Sequence, residues 1–133
     1  MAERILVPIR DELDIVRARQ EGRQMAKNMG FGAVDLARIA TAISELARNI
    51  YTYAQTGEIQ LEEIAKGNRR GIQVMAVDQG PGIPNIEEAM RDGFTTSNGL
   101  GAGLPGTRRL VDEFEIESYV CQGTRVTVRK WLR

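Results

Sequence analysis

Glu45 and Asn49 stand four residues apart in ISELARNIYTY (43–53), a stretch patterned as a helix. On a helix that spacing puts both side chains on one face, with roughly 5–6 Å between their Cβ atoms. The amide oxygen of Asn49 is a hard donor of the kind Mg2+ accepts beside waters and substrate phosphates. The carboxylate of Glu45 can accept a proton. A solvated helix face, with Glu45 paired to Arg48, would show the same spacing. The second stretch is DQGPGIP (78–84). Asp78 closes an apolar run, and its carboxylate is an acceptor suited to an exocyclic amino group. Gly80 and Gly82 let the chain turn sharply beside it. The plainer alternative is an aspartate that simply ends a strand in a turn.

The third stretch is SNGLGAGLPGTRRL (97–110), with glycines at 99, 101, 103 and 106. Gly101, Gly103 and Gly106 satisfy G-x-G-x-x-G. No buried strand precedes it, so a dinucleotide fold is not indicated, and no Gly-Lys-Ser/Thr follows as a Walker loop requires. A glycine-rich segment feeding a helix start still offers unpaired N–H groups and the positive end of a dipole. Room for a phosphate is one reading; a surface loop without a ligand is the other.

These residues need elements to hold them. RILVPI (4–9) reads as a strand, with Pro8 pointing to a sheet edge. Residues 11–30 read as a helix capped by Asp11 and ended by Gly30, with Leu13, Val16, Met25 and Met29 on its apolar face and Gly22 a weak spot. Residues 33–57 carry the strongest helical pattern. There Leu36, Ile39, Ala40, Ile43, Ala47, Ile50 and Ala54 recur at three-to-four spacing, and Gly57 is the expected stop. Strands at 58–65 and 71–78 form one hairpin, and strands at 114–120 and 124–132 form another. A short helix is expected at 85–90 and a longer one at 104–113. Helices bunched between hairpins predict an α+β fold. It is a two-layer sandwich with a mixed, mainly antiparallel sheet and helices on one face.

Composition narrows the function. The 133 residues suit one domain spanning 1–133, and 18 basic against 18 acidic residues give no basic face for nucleic acid. One cysteine, Cys121, and no histidine exclude an internal disulfide and argue against a protein-only zinc site. No apolar run has the length of a membrane span. A soluble, reduced, cytoplasmic domain is expected.

Taken together, helix E-x-x-x-N, strand-end D-x-G-x-G and loop G-x-G-L, in this order, resemble the nucleotide-binding boxes of the GHKL ATPase/kinase superfamily. Gly123-Thr124 matches a further motif. SELARNIY, DQGPGIP, DGFTTSNGLGAGLPG and the ending RKWLR resemble the anti-sigma-factor kinase subgroup, and within it the RsbT-type switch kinases of bacterial stress signalling. The resemblance spans essentially the whole chain. It implies a Bergerat-type ATP-binding fold and ATP with Mg2+ as cofactors. Asn49 would ligate the metal, and Glu45 would act as catalytic base or position the nucleophile. Asp78 would bind the adenine amino group, supported by Thr124 through water. Gly80, Gly82 and Ile83 would shape the base pocket, and Gly101, Gly103 and Leu104 would belong to the phosphate lid. The implied substrates are Ser or Thr hydroxyls on STAS-domain scaffold and antagonist proteins of the stressosome. The implied later partner is a PP2C-type, RsbU-like phosphatase. Arg108 and Arg109 are expected as exposed helix charges. A non-catalytic, nucleotide-dependent binding switch or an anti-sigma-type sequestering protein is the alternative. A hydrolytic clamp would need further dimerising and transducing regions.

Overall fold

The computed structural model describes residues 4–83, 90 and 103–133. The short helix expected at 85–90 and most of the glycine loop, Gly101 included, lie outside the described residues. Within them the order is β1 (Arg4–Ile9), α1 (Glu12–Met29), α2 (Ala33–Asn49), a π-helical turn (Ile50–Ala54), β2 (Gly57–Lys66), β3 (Arg69–Asp78), α3 (Gly103–Leu110), β4 (Glu113–Tyr119) and β5 (Gly123–Trp131).

The strands form one five-stranded sheet in the order β1-β2-β3-β5-β4. All four pairings are antiparallel, so the described sheet contains no parallel pair. β1 lies at one edge, as Pro8 required. Strand alternation then sorts the side chains. Val7, Ile59, Ala76, Val126 and Ile116 share one row on the inner face, and Ile5, Leu61, Val74, Val128 and Phe114 share the next. The helices cover this face, and the core runs through Ile15, Met25, Ile39, Ile43 and Leu46. The opposite face carries charged pairs such as Arg125–Glu117 and Arg129–Glu113, so water rather than a second layer satisfies it.

Helix ends follow local chemistry. The Asp11 carboxylate accepts from the Asp14 N–H at 3.1 Å, and Gly30 closes α1 at φ 104°. Three expectations need correcting. The apolar face of α1 runs through Ile15, Ala18, Gly22, Met25, Ala26 and Met29, while Leu13 and Val16 are exposed. Gly22 is no weak spot: a Cβ there would run into the Cδ1 of Ile43, so the glycine lets α2 approach. Gly57 does not end the second helix. That helix passes into a π turn after Asn49 and stops at Gln55, whose φ is 71°. Gly57 instead opens β2, where a Cβ would lie 2.7 Å from Ile50 Cγ2. The glycine is there to admit Ile50 against the sheet.

Two acidic groups tie the layers at the end of the fold remote from these turns and at the α1 start. Asp14 is buried; its carboxylate accepts from the Arg10 N–H at 2.9 Å, from Arg10 Nε at 3.1 Å and from Arg17 at 3.0 Å. The Arg10 hydrogen bond holds its carboxyl below the usual range, against the opposing effect of burial. At Asp112 burial is the largest influence and opposes ionisation, yet the Trp131 N–H, Lys130 and Arg133 together hold that group low as well. Lys130, itself buried, also reaches Asp35 at the start of α2 at 3.6 Å.

Both carboxyls have folded-state pKa values below their unfolded ones, so their contribution is fully present above pH of about 4 and is lost as pH falls through the folded values. Asp14→Asn should therefore lower stability by about 2 kcal/mol near neutral pH, from lost charge-assisted hydrogen bonds. The gap to the unsubstituted chain should narrow below pH of about 4. Urea unfolding across pH checks this; a gap independent of pH would contradict it.

Candidate nucleotide-binding site

The innermost row of the sheet at the α2 end reads Ile9, Gly57, Asp78, Thr124, Ser118 across all five strands. Here strand alternation puts polar groups where the neighbouring rows put aliphatic ones. Above this row lies a cavity of about 250 Å³. Its floor is Ala76 and Val126, and its roof is Leu46, Ile50 and Ala54 from α2 and the π turn. Leu104 from α3 and Pro81, Gly82 and Ile83 from the loop after β3 close its sides. Asn49, Asp78 and Thr124 supply the polar groups on an otherwise apolar wall. An apolar cavity with a few convergent polar side chains suits a heteroaromatic ligand carrying a polar tail.

The π turn decides what α2 contributes. Asn49 is its last α-helical residue, and the wider turn that follows brings Ile50, Tyr53 and Ala54 onto the same cavity. Such turns recur at functional sites because they re-aim side chains without ending the helix. Asp78 is half-buried, and its Oδ1 accepts the Gly80 N–H at 2.9 Å. This is the local turn that an aspartate favours after a strand. A Cβ on Gly80 would lie 2.6 Å from the Ala54 Cβ, so the loop can pass under the π turn only without a side chain.

The loop after β3 is also fastened to the β4–β5 hairpin. The Cys121 N–H donates to the Pro81 carbonyl at 2.8 Å, and the Ile83 N–H donates to Ser118 Oγ at 2.6 Å. Gly82 has φ +80°, and a Cβ there would run into the Tyr119 carbonyl.

Asn49, Asp78, Gly82, Ile83, Leu104 and Thr124 thus converge on one cavity, and Gly80 lies beside Asp78. Gly103 begins α3. Glu45 does not line the cavity. It is only 2 % exposed and belongs to the buried side of α2, so neither a solvated face nor a surface pair with the exposed Arg48 describes it. Arg108 and Arg109 are exposed, as expected. Sequence reasoning missed Tyr53, Ala54 and Ser118. The NIYTY segment reads as plain helix, which hides the π turn. Ser118 is legible only through its register opposite Thr124. Among the described residues no three His, Cys, Asp or Glu side chains cluster as a metal site. An asparagine side chain lining a cavity can offer its amide oxygen to a divalent ion whose other ligands are phosphate and water, which is how Mg2+ is commonly held. No helix among the described residues is long and apolar enough to cross a membrane.

Comparison with known proteins agrees with this geometry. Residues 8–130 match the histidine kinase-like ATPase domain family. The chain is 56 % identical over 133 residues to the serine/threonine-protein kinase RsbT of Bacillus subtilis (strain 168), covering all of both chains. It is 36 % identical over 104 residues to the anti-sigma F factor of Thermoanaerobacter sp. (strain X514), covering 74 % of this chain and 71 % of that one. Among solved structures, the RsbU and RsbW domains of Rv1364c from Mycobacterium tuberculosis share the fold, with a TM-score of 0.67 at 19 % identity. That match covers 98 % of this chain and 32 % of the other.

Gly82→Ala should cost at least about 2 kcal/mol, from a left-handed backbone and a backbone clash together. Gly67→Ala, where φ is +62° and nothing lies within 4 Å, should cost about 1 kcal/mol from conformation alone. Denaturant midpoints for both variants check the contrast, and equal losses would contradict the fastening of this loop.

Proposed function

The chain belongs to the histidine kinase-like ATPase family, and from that membership we infer that it is an ATP-dependent serine/threonine protein kinase acting as a switch in bacterial stress signalling. The observation that carries this reading is the row that ends at the cavity: an aspartate and a threonine face an apolar slot, with an asparagine on the roof helix. The full-length likeness to a serine/threonine kinase supports the activity.

In this reading adenine fills the slot between Ala76 and Val126 below and Ile50 above. Asp78 takes the exocyclic amino group, and Thr124 supports it through a water. Gly80, Gly82 and Ile83 shape the rim. The triphosphate extends toward Asn49 and the glycine loop, where Gly101, Gly103 and Leu104 cover it and N–H groups at the start of α3 face it. Mg2+ would be held by the Asn49 amide oxygen and would supply positive charge against the phosphates. The substrate hydroxyl oxygen attacks the γ-phosphorus, the bond to the β–γ bridging oxygen breaks, and ADP leaves. Glu45, one turn before Asn49, accepts the hydroxyl proton or orients the hydroxyl. The protein substrates are STAS-domain scaffold and antagonist proteins of the stressosome. Once they are phosphorylated, the kinase leaves them to bind and activate a PP2C-type, RsbU-like phosphatase in the cytoplasm.

The likeness to anti-sigma F factors favours a second reading, a protein that sequesters its partner and uses nucleotide to set conformation. Incubation with labelled ATP and a STAS-domain partner, with and without magnesium, separates the two. Label on a partner Ser or Thr only with magnesium supports the kinase; a stable complex with no label supports sequestration. Glu45→Ala and Asn49→Ala should each reduce transfer by at least about 100-fold, the scale of losing a general base or a charge-positioning group. Full transfer by both folded variants would refute the assignment. Asp78→Asn replaces one acceptor oxygen with a donor and should abolish measurable ATP binding by calorimetry while the melting temperature stays within a few degrees.

A further inference from the structure

We propose that the outward stripe of α1 docks the protein substrate: Leu13 and Val16 receive an aliphatic group, and Arg17 and Lys27 receive carboxylates beside it. The inference rests on the reading of the chain as a protein kinase and gives it a substrate-binding surface away from the cavity.

The stripe is the side of α1 that the core leaves unused. Ile15, Ala18, Gly22, Met25, Ala26 and Met29 supply the buried side. Leu13 is 73 % exposed and Val16 37 %. At three-to-four spacing the same outward face continues through Arg17, Gln20, Gln24 and Lys27, all exposed, over about 21 Å. No acid stands in that row; Glu12 and Glu21 flank it.

Arg17 is fixed in advance. Its NH1 donates to Oδ1 of the buried Asp14 at 3.0 Å, while 55 % of its side chain stays exposed. Arg10 Nε donates to the other oxygen of the same carboxylate at 3.1 Å. One carboxylate thus shares its charge between two guanidiniums, and Arg17 keeps donors for a partner. A guanidinium already held in place loses less freedom on binding. Arginines of this kind carry a large share of interface energy.

Two observations choose the occupant. The first is charge. A second copy laid on this stripe would meet Arg17 and Lys27 with a row that likewise holds no acid, so self-pairing is mismatched and an acidic partner is favoured. The second is location. Ile9 lies in the sheet row of Asp78, two strand spacings or about 10 Å away, and α1 begins shortly after it at Glu12. A protein gripped at Leu13 therefore lies at the cavity end of the molecule, where α2 also ends.

The test is steady-state transfer from ATP to a STAS-domain partner by the whole chain with magnesium. Leu13→Asp and Arg17→Glu should each raise the KM for the partner at least about tenfold, with kcat and the KM for ATP unchanged. Arg125→Glu, on the outer face of the sheet, should change none of the three. Both α1 positions are exposed, and thermal melts confirm that the variants are folded. Should Leu13→Asp fail to fold, Leu13→Ser and Arg17→Gln should still raise the partner KM severalfold. An unchanged partner KM in the double variant would overturn the proposal. So would a loss confined to kcat or to ATP, which would place the effect in the cavity. Sedimentation showing a native dimer that Arg17→Glu dissociates would overturn it in favour of a second copy. No transfer by the unsubstituted chain, although it binds the partner, would sink the kinase reading; in that event the partner Kd by calorimetry still tests the stripe, with the same tenfold loss expected and an unchanged Kd overturning it.

Discussion

Antiparallel register is the constraint on which the site depends. Asp78 and Thr124 share a face of the sheet because β3 and β5 pair in one alignment, with Gly57 on one side and Ser118 on the other. A slip of β5 by one residue would turn Thr124 to the solvent face, parting it from Asp78, and bring Arg125 inward. The two aliphatic rows behind them resist that slip, since each would turn its β5 side chain to the solvent face. The hydrophobic core is thus what holds the carboxylate and the hydroxyl in place, and the chemistry of the site is inherited from the packing.

The helix layer meets this sheet through close approaches. Gly22 admits Ile43, Gly57 admits Ile50, and Gly80 passes beneath Ala54. Each contact fixes α2 or its π turn against a neighbour, so Asn49 is held from both sides. Backbone bonds from Cys121 and Ile83 then join the loop after β3 to the β4–β5 hairpin. The cavity's walls come from four separate parts of the chain, and these contacts tie the π turn, the loop after β3 and the last hairpin to one another.

Of the buried ionic groups, Asp14 and Lys130 serve junctions between elements, Glu45 lies on the buried side of α2, and none of the three lines the cavity. Lys130 joins Asp35 of α2 to Asp112 before β4, which links the helix layer to the last hairpin. The outer face of the sheet is covered by Arg–Glu pairs exposed enough that solvent screens them. They favour solubility of that face more than stability of the fold. The cavity itself is mostly apolar, so the few polar atoms within it act in a medium that strengthens their interactions.

Much of this was legible in the sequence. Apolar runs and alternation located all five strands within a residue or two, Asp11 and Gly30 marked the ends of α1, and the first two motif stretches together with Gly123-Thr124 marked the cavity's polar groups. The apolar face of α1 was misphased, because Leu13 and Val16 are as hydrophobic as the residues that are buried. The end of the second helix was misplaced, because a π turn leaves no mark in three-to-four spacing and a glycine reads as a stop whatever it is there for. The sequence by itself determined which chemical groups the chain could bring to a nucleotide, since residue types and local propensities are written in it. Only the tertiary structure decided which of those groups meet. Strand register and helix approach depend on contacts between residues far apart in the chain, and these put Ser118 behind Thr124, Ile50 over the sheet and Glu45 in the interior.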